Sequence, residues 1–179
     1  MEIKVLVTYA TSYGSTHEIA EVISETLRSQ GLVADLQPIR NVRMLEGYSA
    51  VVLGAPLYMF HWHKDALHFL SQHQKKFADH LPIAIFAGGP FGKGDENDWQ
   101  EVRAKLDLEL AKFPWLTPIS VEIVGGKFDP AKLRFPYKLI PVLKKMPASD
   151  LRDWVAIRAW ASSLAAQLLS DLAHNELDK

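Results

Sequence analysis

The chain has 179 residues, of which 48% are hydrophobic and 23% are charged, and its formal net charge at pH 7 is −1. This length and composition predict one globular domain over residues 1–179, and the balanced charge argues against nucleic acid as a partner. Because the sequence contains no cysteine, disulfides, thiolate metal sites, iron–sulfur clusters and cysteine nucleophiles are excluded.

The N-terminal residues predict no signal peptide, because charged Glu2 and Lys4 lead straight into a short apolar run. No uninterrupted apolar stretch approaches the roughly 20 residues that a membrane-spanning helix needs. We therefore expect a cytoplasmic protein, which would meet a membrane only at its surface, on the inner face of the cell membrane.

Short apolar runs alternate along the chain with segments of helical spacing. The predicted strands are Ile3 to Tyr9, Leu32 to Leu36, Ala50 to Gly54, Pro82 to Ala87 and Ile119 to Val124. The helical segments begin near His17, run through residues 66–77 and 99–113, and close the chain at Trp154 to Leu172. This alternation predicts an α/β fold in three layers, a doubly wound five-stranded parallel sheet of flavodoxin-like order 2-1-3-4-5.

A loop rich in hydroxyl groups follows the first predicted strand. Its residues are Thr11, Ser12, Tyr13, Gly14, Ser15 and Thr16. Hydroxyls, a glycine and the free amides of a helix N-terminus together predict a site for a phosphate monoester, with no need for lysine or arginine. The alternative is that Ser15 and Glu18 only form a capping box, which leaves Thr11, Ser12 and Thr16 unexplained.

Other phosphate-binding motifs do not fit this sequence. The first turn has no G-x-G-x-x-G, and Gly88 to Lys93 lacks the spacing of a P-loop. A response regulator would need an aspartate at the end of strand one, where this chain has Thr8 and Tyr9. A monophosphate ligand remains.

Two more loops leave the same edge of the predicted sheet and combine aromatic rings with glycine backbone. The loop after strand three contains Ala55, Pro56, Leu57, Tyr58, Met59, Phe60 and Trp62, and the loop after strand four contains Gly88, Gly89, Pro90, Phe91 and Gly92. Such loops suit a planar heteroaromatic ring. A phosphate at one end and a flat ring at the other predict FMN, although Tyr58, Phe60 and Trp62 could instead pack onto their own helix.

The pattern T-x-x-G-x-T after strand one, followed by these two loops, resembles the flavodoxin family over roughly residues 1–126 and the last helix. The resemblance implies that Thr11 to Thr16 bind the FMN phosphate, that Ala55 to Trp62 flank one face of the flavin, and that Gly88 to Gly92 flank the other. Tyr13 departs from the usual threonine or serine, and we expect its side chain to point away. The resemblance does not assign the aromatic that stacks on the ring.

Within that superfamily the chain is similar to the menaquinone-dependent protoporphyrinogen oxidases. The likeness is carried by Gly54 to Tyr58 with the following histidines, by Gly125-Gly126-Lys127, and by Asp150 to Trp154 leading to Ile157 to Ala161. It implies an FMN-dependent oxidoreductase that passes electrons from a porphyrinogen-like substrate to a quinone, with no side-chain catalytic base. A soluble flavodoxin-type electron carrier and an NAD(P)H quinone reductase stay open as alternatives, as does an oligomeric state.

A basic and apolar segment, residues 127–149, separates the last strand from the last helix and is named the insert below. Up to residue 146 it holds one acid, Asp129, and six basic residues, which are Lys127, Lys132, Arg134, Lys138, Lys144 and Lys145. Interleaved apolar residues make this segment suited to anionic lipid headgroups. The alternative is a connection that folds onto the domain and leaves its lysines in water.

The seven histidines predict no metal site. His61 and His63 form an H-x-H pair, but no third ligand stands at a recognisable spacing. We expect this pair at the surface or at the flavin edge. His68, His73 and His80 are expected to face water.

Overall fold

The computed structural model describes residues 3–58, 61–91 and 93–177, with side chains described up to residue 171. Its central sheet contains five parallel strands, β1 Lys4–Tyr9, β2 Val33–Pro38, β3 Ala50–Tyr58, β5 Ile83–Gly88 and β6 Ser120–Ile123. A two-residue strand, β4 His61–Trp62, turns back antiparallel onto the end of β3. The strand order β2-β1-β3-β5-β6 confirms the predicted order, because β4 lies outside the parallel series.

Helices cover both faces of this sheet. They are α1 Ser15–Ser29, α2 Lys64–Gln72, α3 Gln74–Ala78, α4 Glu96–Leu110, α5 Pro141–Lys145 and α6 Trp154–Leu177. One core cluster joins α1 and α6 to strand residues such as Val7 and Val52, and a second joins α2, α3 and α4 to residues such as Leu6 and Leu53. Burial on both faces explains why the strands read as continuous apolar runs.

The insert leaves the fold and returns to it at one place. Its first residues form β7 Lys127–Phe128, which pairs antiparallel with β8 Ser149–Asp150. Between them the chain makes two short 3₁₀ turns, Pro130–Lys132 and Tyr137–Leu139, followed by α5. The β7–β8 pair therefore closes the insert into a loop with a paired neck.

The predicted helix over residues 66–77 is interrupted at His73, where α2 ends and α3 begins one residue later. The prediction that His73 faces water is wrong, because its side chain is buried and its ring lies 4.6 Å from that of Phe69. Its Nε2 has no hydrogen-bond partner among the described residues. Burial lowers the pKa of His73, against a smaller opposing effect of the Glu46 charge. His68 and His80 are exposed, as expected.

Replacing His73 with leucine should make the fold more resistant to mild acid. Burial holds the pKa of His73 below its ordinary value of 6.5, so protonation favours the unfolded chain as the pH falls below that value. Urea denaturation at about pH 7.5 and about pH 5.5 should show a smaller loss of unfolding free energy in His73→Leu than in the wild type. His68→Leu, at an exposed position, is the control and should behave like the wild type; equal losses in all three proteins would contradict the prediction.

Candidate functional site

The loop after β1 presents a bare helix N-terminus. Gly14 is the N-cap of α1 and adopts φ +93°, a left-handed conformation that glycine reaches without strain. Ser15 is therefore the first helical residue, not the cap, so the capping box considered as an alternative does not form. The amide of Gly14 donates to Thr11 Oγ1 at 2.9 Å, which leaves the Thr11 hydroxyl proton free to donate elsewhere. Because Gly14 provides no side-chain cap, the backbone amides of the first turn are available to bind an anion.

Two aromatic side chains stand beside this loop. The rings of Tyr58, at the end of β3, and Phe91, after β5, are stacked with centroids 5.6 Å apart and planes 20° from parallel. Both line the same cleft, together with Leu57 and Pro90. Burial raises the pKa of the Tyr58 hydroxyl, although a hydrogen bond with Ser12 works in the opposite direction. Tyr58 is therefore a neutral aromatic surface throughout the physiological pH range.

The other residues predicted to contact the ring differ in their position. Ala55 and Pro56 are buried within β3, and Gly88 and Gly89 are buried at the end of β5. Met59, Phe60 and Gly92 lie outside the described residues. Only part of the predicted ring-contacting set is thus placed at the cleft.

Trp62 does not line the cleft, which corrects the prediction for this side chain. It is 2% exposed and lies in the core cluster beneath α2 and α4. Its indole Nε1 donates to the carbonyl oxygen of Ala55 at 3.1 Å. The β3–β4 hairpin turns this ring inward, so Trp62 supports the loop from behind.

The prediction that the Tyr13 side chain points away from the site is also wrong. Its ring meets that of Tyr58 edge to face, with centroids 6.2 Å apart, and it lines the cleft. The backbone amide of Arg134 donates to the Tyr13 hydroxyl at 3.4 Å, and the Arg134 guanidinium lies 5.9 Å from the ring centre. Tyr13 therefore joins the loop after β1, residues 11–16, which is called the phosphate loop below for its proposed role, to the insert.

The insert forms a wall of the cleft, which has a volume of about 350 Å³. The insert residues that line the cleft are Lys127, Phe128, Asp129, Lys132, Leu133, Tyr137, Leu143 and Met146. The hydroxyl of Ser149, at the neck, donates to the backbone carbonyl of Phe91 at 2.8 Å and so ties the insert to the loop after β5. One face of the insert therefore packs onto the domain, as the second interpretation of its sequence predicts.

Gly125 and Gly126 allow the insert to start close to the cleft. A Cβ atom on Gly126 would overlap the ring of Phe91, and one on Gly125 would overlap the backbone of Leu151. Gly125 also has φ +73°, which a larger residue would adopt only with strain. The glycine pair thus sets the close packing among β6, the loop after β5 and the neck.

His61 and His63 each contact a neighbouring helix, α4 and α2 respectively. The described residues contain no cluster of metal ligands. His61 Nδ1 lies 3.1 Å from Glu109 Oε1, and Lys112 Nζ lies 2.7 Å from the other carboxylate oxygen. Burial raises the pKa of Glu109, but hydrogen bonds from Lys112 and His61 outweigh it and leave the pKa lowered. His63 Nδ1 caps α2 by accepting from the amide of Asp65.

Sequence comparison bears on the family of this chain. A profile of the Flavodoxin domain matches residues 6–149. The chain belongs to the flavodoxin domain family. Membership of this family indicates a flavin cofactor. Protoporphyrinogen IX dehydrogenase [quinone] from Escherichia coli K12 is 23% identical over 175 residues, which cover 96% of this chain and 95% of that protein.

Solved structures agree on the fold. A flavodoxin from the domain Archaea matches with a TM-score of 0.58 and 13% identity, over 93% of this chain and 99% of that one. Rubredoxin oxygen:oxidoreductase from Desulfovibrio gigas matches with a TM-score of 0.60 and 17% identity, over 95% of this chain. This flavodoxin domain spans only 37% of that longer chain.

The residues at the cleft fit a flavin cofactor. Tyr13 and Ser15 line the cleft at the uncapped N-terminus of α1, whose amides can bind an anion, whereas Thr11, Ser12 and Thr16 are not among the residues that line it. Tyr58 and Phe91, which stack on each other, give the cleft flat apolar surfaces. The cleft volume of about 350 Å³ is in the range of small-molecule and cofactor sites.

Trp62→Phe tests whether this residue supports the loop or contacts the cofactor. Loss of the indole donor and of part of the ring volume should lower the free energy of unfolding by about 1–3 kcal/mol. Flavin affinity, measured by fluorescence titration, should stay within about threefold of the wild type because the ring does not reach the cleft. Phe91→Leu is the matched comparison and should show the reverse pattern, so a large loss of flavin affinity in Trp62→Phe with unchanged stability would refute its placement.

Proposed function

We propose that this flavodoxin-domain protein is an FMN-dependent oxidoreductase, which takes electrons from a porphyrinogen-like substrate and passes them to a quinone. The observation that carries the proposal is the cleft, where the phosphate loop, the Tyr58–Phe91 pair and the insert meet. A soluble electron carrier needs an exposed flavin edge, whereas here side chains of the insert line one wall of the crevice. The largely apolar surface of this cleft suits a substrate with a large apolar ring system.

The phosphate loop supports FMN as the particular flavin. Thr11, Ser12, Ser15 and Thr16 supply hydroxyls and α1 supplies amides, and together these are the donors that a single phosphate requires. Such donors suit a dianion without a cationic side chain, because charge-assisted hydrogen bonds are stronger than neutral ones. We assign Thr11 to Thr16 to the phosphate, and Leu57, Tyr58, Pro90 and Phe91 to the ring.

The residues of this chain would position the reactants and exclude water. FMN, when bound, supplies the chemistry, since its ring accepts electrons or hydride and returns them to an acceptor. Leu133, Tyr137, Leu143 and Met146 of the insert would hold an apolar substrate over the ring and keep water out. Tyr58 stays neutral because burial raises its pKa, so it adds no charge that would shift the flavin potential. No side-chain base is required.

The name of a relative supports the proposed substrate and acceptor. The Escherichia coli protein carries a name that specifies protoporphyrinogen IX and a quinone, and the alignment with it runs through the insert to cover 96% of this chain. An NAD(P)H quinone reductase would share the cofactor site but would use a different electron donor. The choice among donors is therefore open to direct assay.

The purified protein should release flavin on heating, and the released compound should comigrate with FMN. Steady-state assays should show quinone reduction with protoporphyrinogen at a rate well above that with NADH or NADPH. Release of no flavin would contradict the cofactor, and turnover with NAD(P)H alone would favour the reductase.

Gly14→Ala forces a side chain into the φ +93° conformation. This substitution should cost about 1–2 kcal/mol locally and weaken FMN affinity by about tenfold.

The outer face of the insert supports peripheral contact with a membrane. Phe135, Leu139 and Val142 are 73%, 63% and 68% exposed and are not among the residues that line the cleft. The same segment carries the exposed basic residues Arg134, Lys138, Lys144 and Lys145, whereas Lys132, also exposed, lines the cleft. No helix in the described part of the chain has the length and apolarity to cross a bilayer. We therefore propose that the insert, which lines the cleft, lies on the surface of an anionic membrane. A quinone dissolved in that membrane would then be close to the cleft.

Vesicle binding tests this contact. The protein should sediment with anionic vesicles at low salt and detach as ionic strength rises. Lys144→Glu/Lys145→Glu should reduce binding by at least about tenfold, because each basic residue near such a surface contributes about 1 kcal/mol. Lys64→Glu/Lys75→Glu changes net charge equally on α2 and α3 and should bind like the wild type. Equal loss in both variants would indicate a nonspecific charge effect, and no binding by the wild type would refute the contact.

A further inference from the structure

A buried arginine connects the end of the insert to the helix that carries the phosphate loop. The Arg152 side chain is only 3% exposed. Its Nε and Nη2 atoms donate to the two carboxylate oxygens of Asp150 at 2.7 and 2.6 Å, and its Nη1 donates to Glu18 Oε2 at 2.6 Å. The ring of Trp154 lies 4.6 Å from the guanidinium carbon. Three neighbours thus fix the plane of this guanidinium.

Among these partners, Glu18 connects Arg152 to the cleft. It lies in the first turn of α1 and lines the cleft beside Tyr13 and Ser15. A carboxylate in the first turn is attracted to the positive end of the helix, which is also where a phosphate would bind. Two anions would then compete for one helix N-terminus and would repel each other.

We infer that Arg152 is a positioning residue for the cofactor phosphate, which acts by holding Glu18 aside and neutralising its charge. Asp150 orients the guanidinium for this task through the bidentate pair. Because Asp150 lies in β8 of the neck, Arg152 also connects the neck to Glu18. The inference rests on the proposed function only in placing the phosphate at residues 11–16.

The test compares two ligands that differ only in the phosphate. Riboflavin has the ring and ribityl chain of FMN but no phosphate, so the ratio of the two dissociation constants isolates the phosphate site. A merely structural role of Arg152 would weaken both ligands alike. An electrostatic role through Glu18 would change the FMN constant and leave the riboflavin constant nearly unchanged.

In titrations of the flavin-free full chain, Arg152→Gln should weaken FMN by about tenfold and riboflavin by less than about twofold, because it removes the counter-charge of the Glu18 carboxylate at the helix N-terminus proposed to bind the phosphate. Adding Glu18→Gln to Arg152→Gln should restore most of the preference for FMN. Glu18→Gln alone should strengthen that preference, and this variant decides the matter if Arg152→Gln does not fold, because Glu18 is half exposed. Glu25→Gln, an exposed carboxylate further along α1, is the control and should change nothing.

Equal weakening of FMN and riboflavin in Arg152→Gln would overturn the inference, as would an unchanged preference in Glu18→Gln. Either result would leave the phosphate site itself intact, provided that the wild type prefers FMN. A wild type that binds FMN and riboflavin equally well would instead refute the phosphate loop assignment, and the role of Arg152 with it.

Discussion

Parallel pairing of β1, β3 and β5 is the constraint on which the site depends. Parallel strands all end at the same edge of the sheet, so the sheet brings the loops after these three strands together, and contacts of Tyr58 with Tyr13 and Phe91 then join them. Burial on both faces fixes the register, because a slip of one residue would exchange the two core clusters. The phosphate loop and the Tyr58–Phe91 pair therefore lie side by side because of the core packing.

The insert adds contacts that the sheet alone would not provide. Some of its side chains line one wall of the cleft, whereas Phe135, Leu139 and Val142 are exposed to solvent. Tyr13, Ser149 and Arg152 attach it to the phosphate loop, to the loop after β5 and to α1. A movement of the insert would therefore change contacts at both the phosphate end and the ring end of the proposed cofactor site. Such a movement would couple substrate access to cofactor affinity.

Local patterns in the sequence were sufficient for the fold and for the composition of the loops. Strand positions and the hydroxyl-rich loop follow from short-range periodicity and from glycine and hydroxyl content, whereas the sheet order follows from a known doubly wound arrangement that five such strands suit. The errors concern contacts between distant residues. Tyr13 meets Arg134, 121 positions later, and Glu18 meets Arg152, 134 positions later, so neither contact has a local signal. Trp62 and His73 were misplaced because a hairpin and a helix break, which periodicity does not reveal, turn them inward.

The paired neck of the insert has a consequence for how such a segment could be gained or exchanged. Lys127 and Asp150 face each other across two antiparallel strands, so the chain enters and leaves at nearly the same point. A short turn could bridge that gap without disturbing β6 or α6, since hairpins close with as few as two residues. The insert is therefore a separable segment, because β7 and β8 pair with each other and not with the described strands of the central sheet. A change of this segment alone would alter one wall of the cleft and leave the pairing of the five-stranded sheet constant.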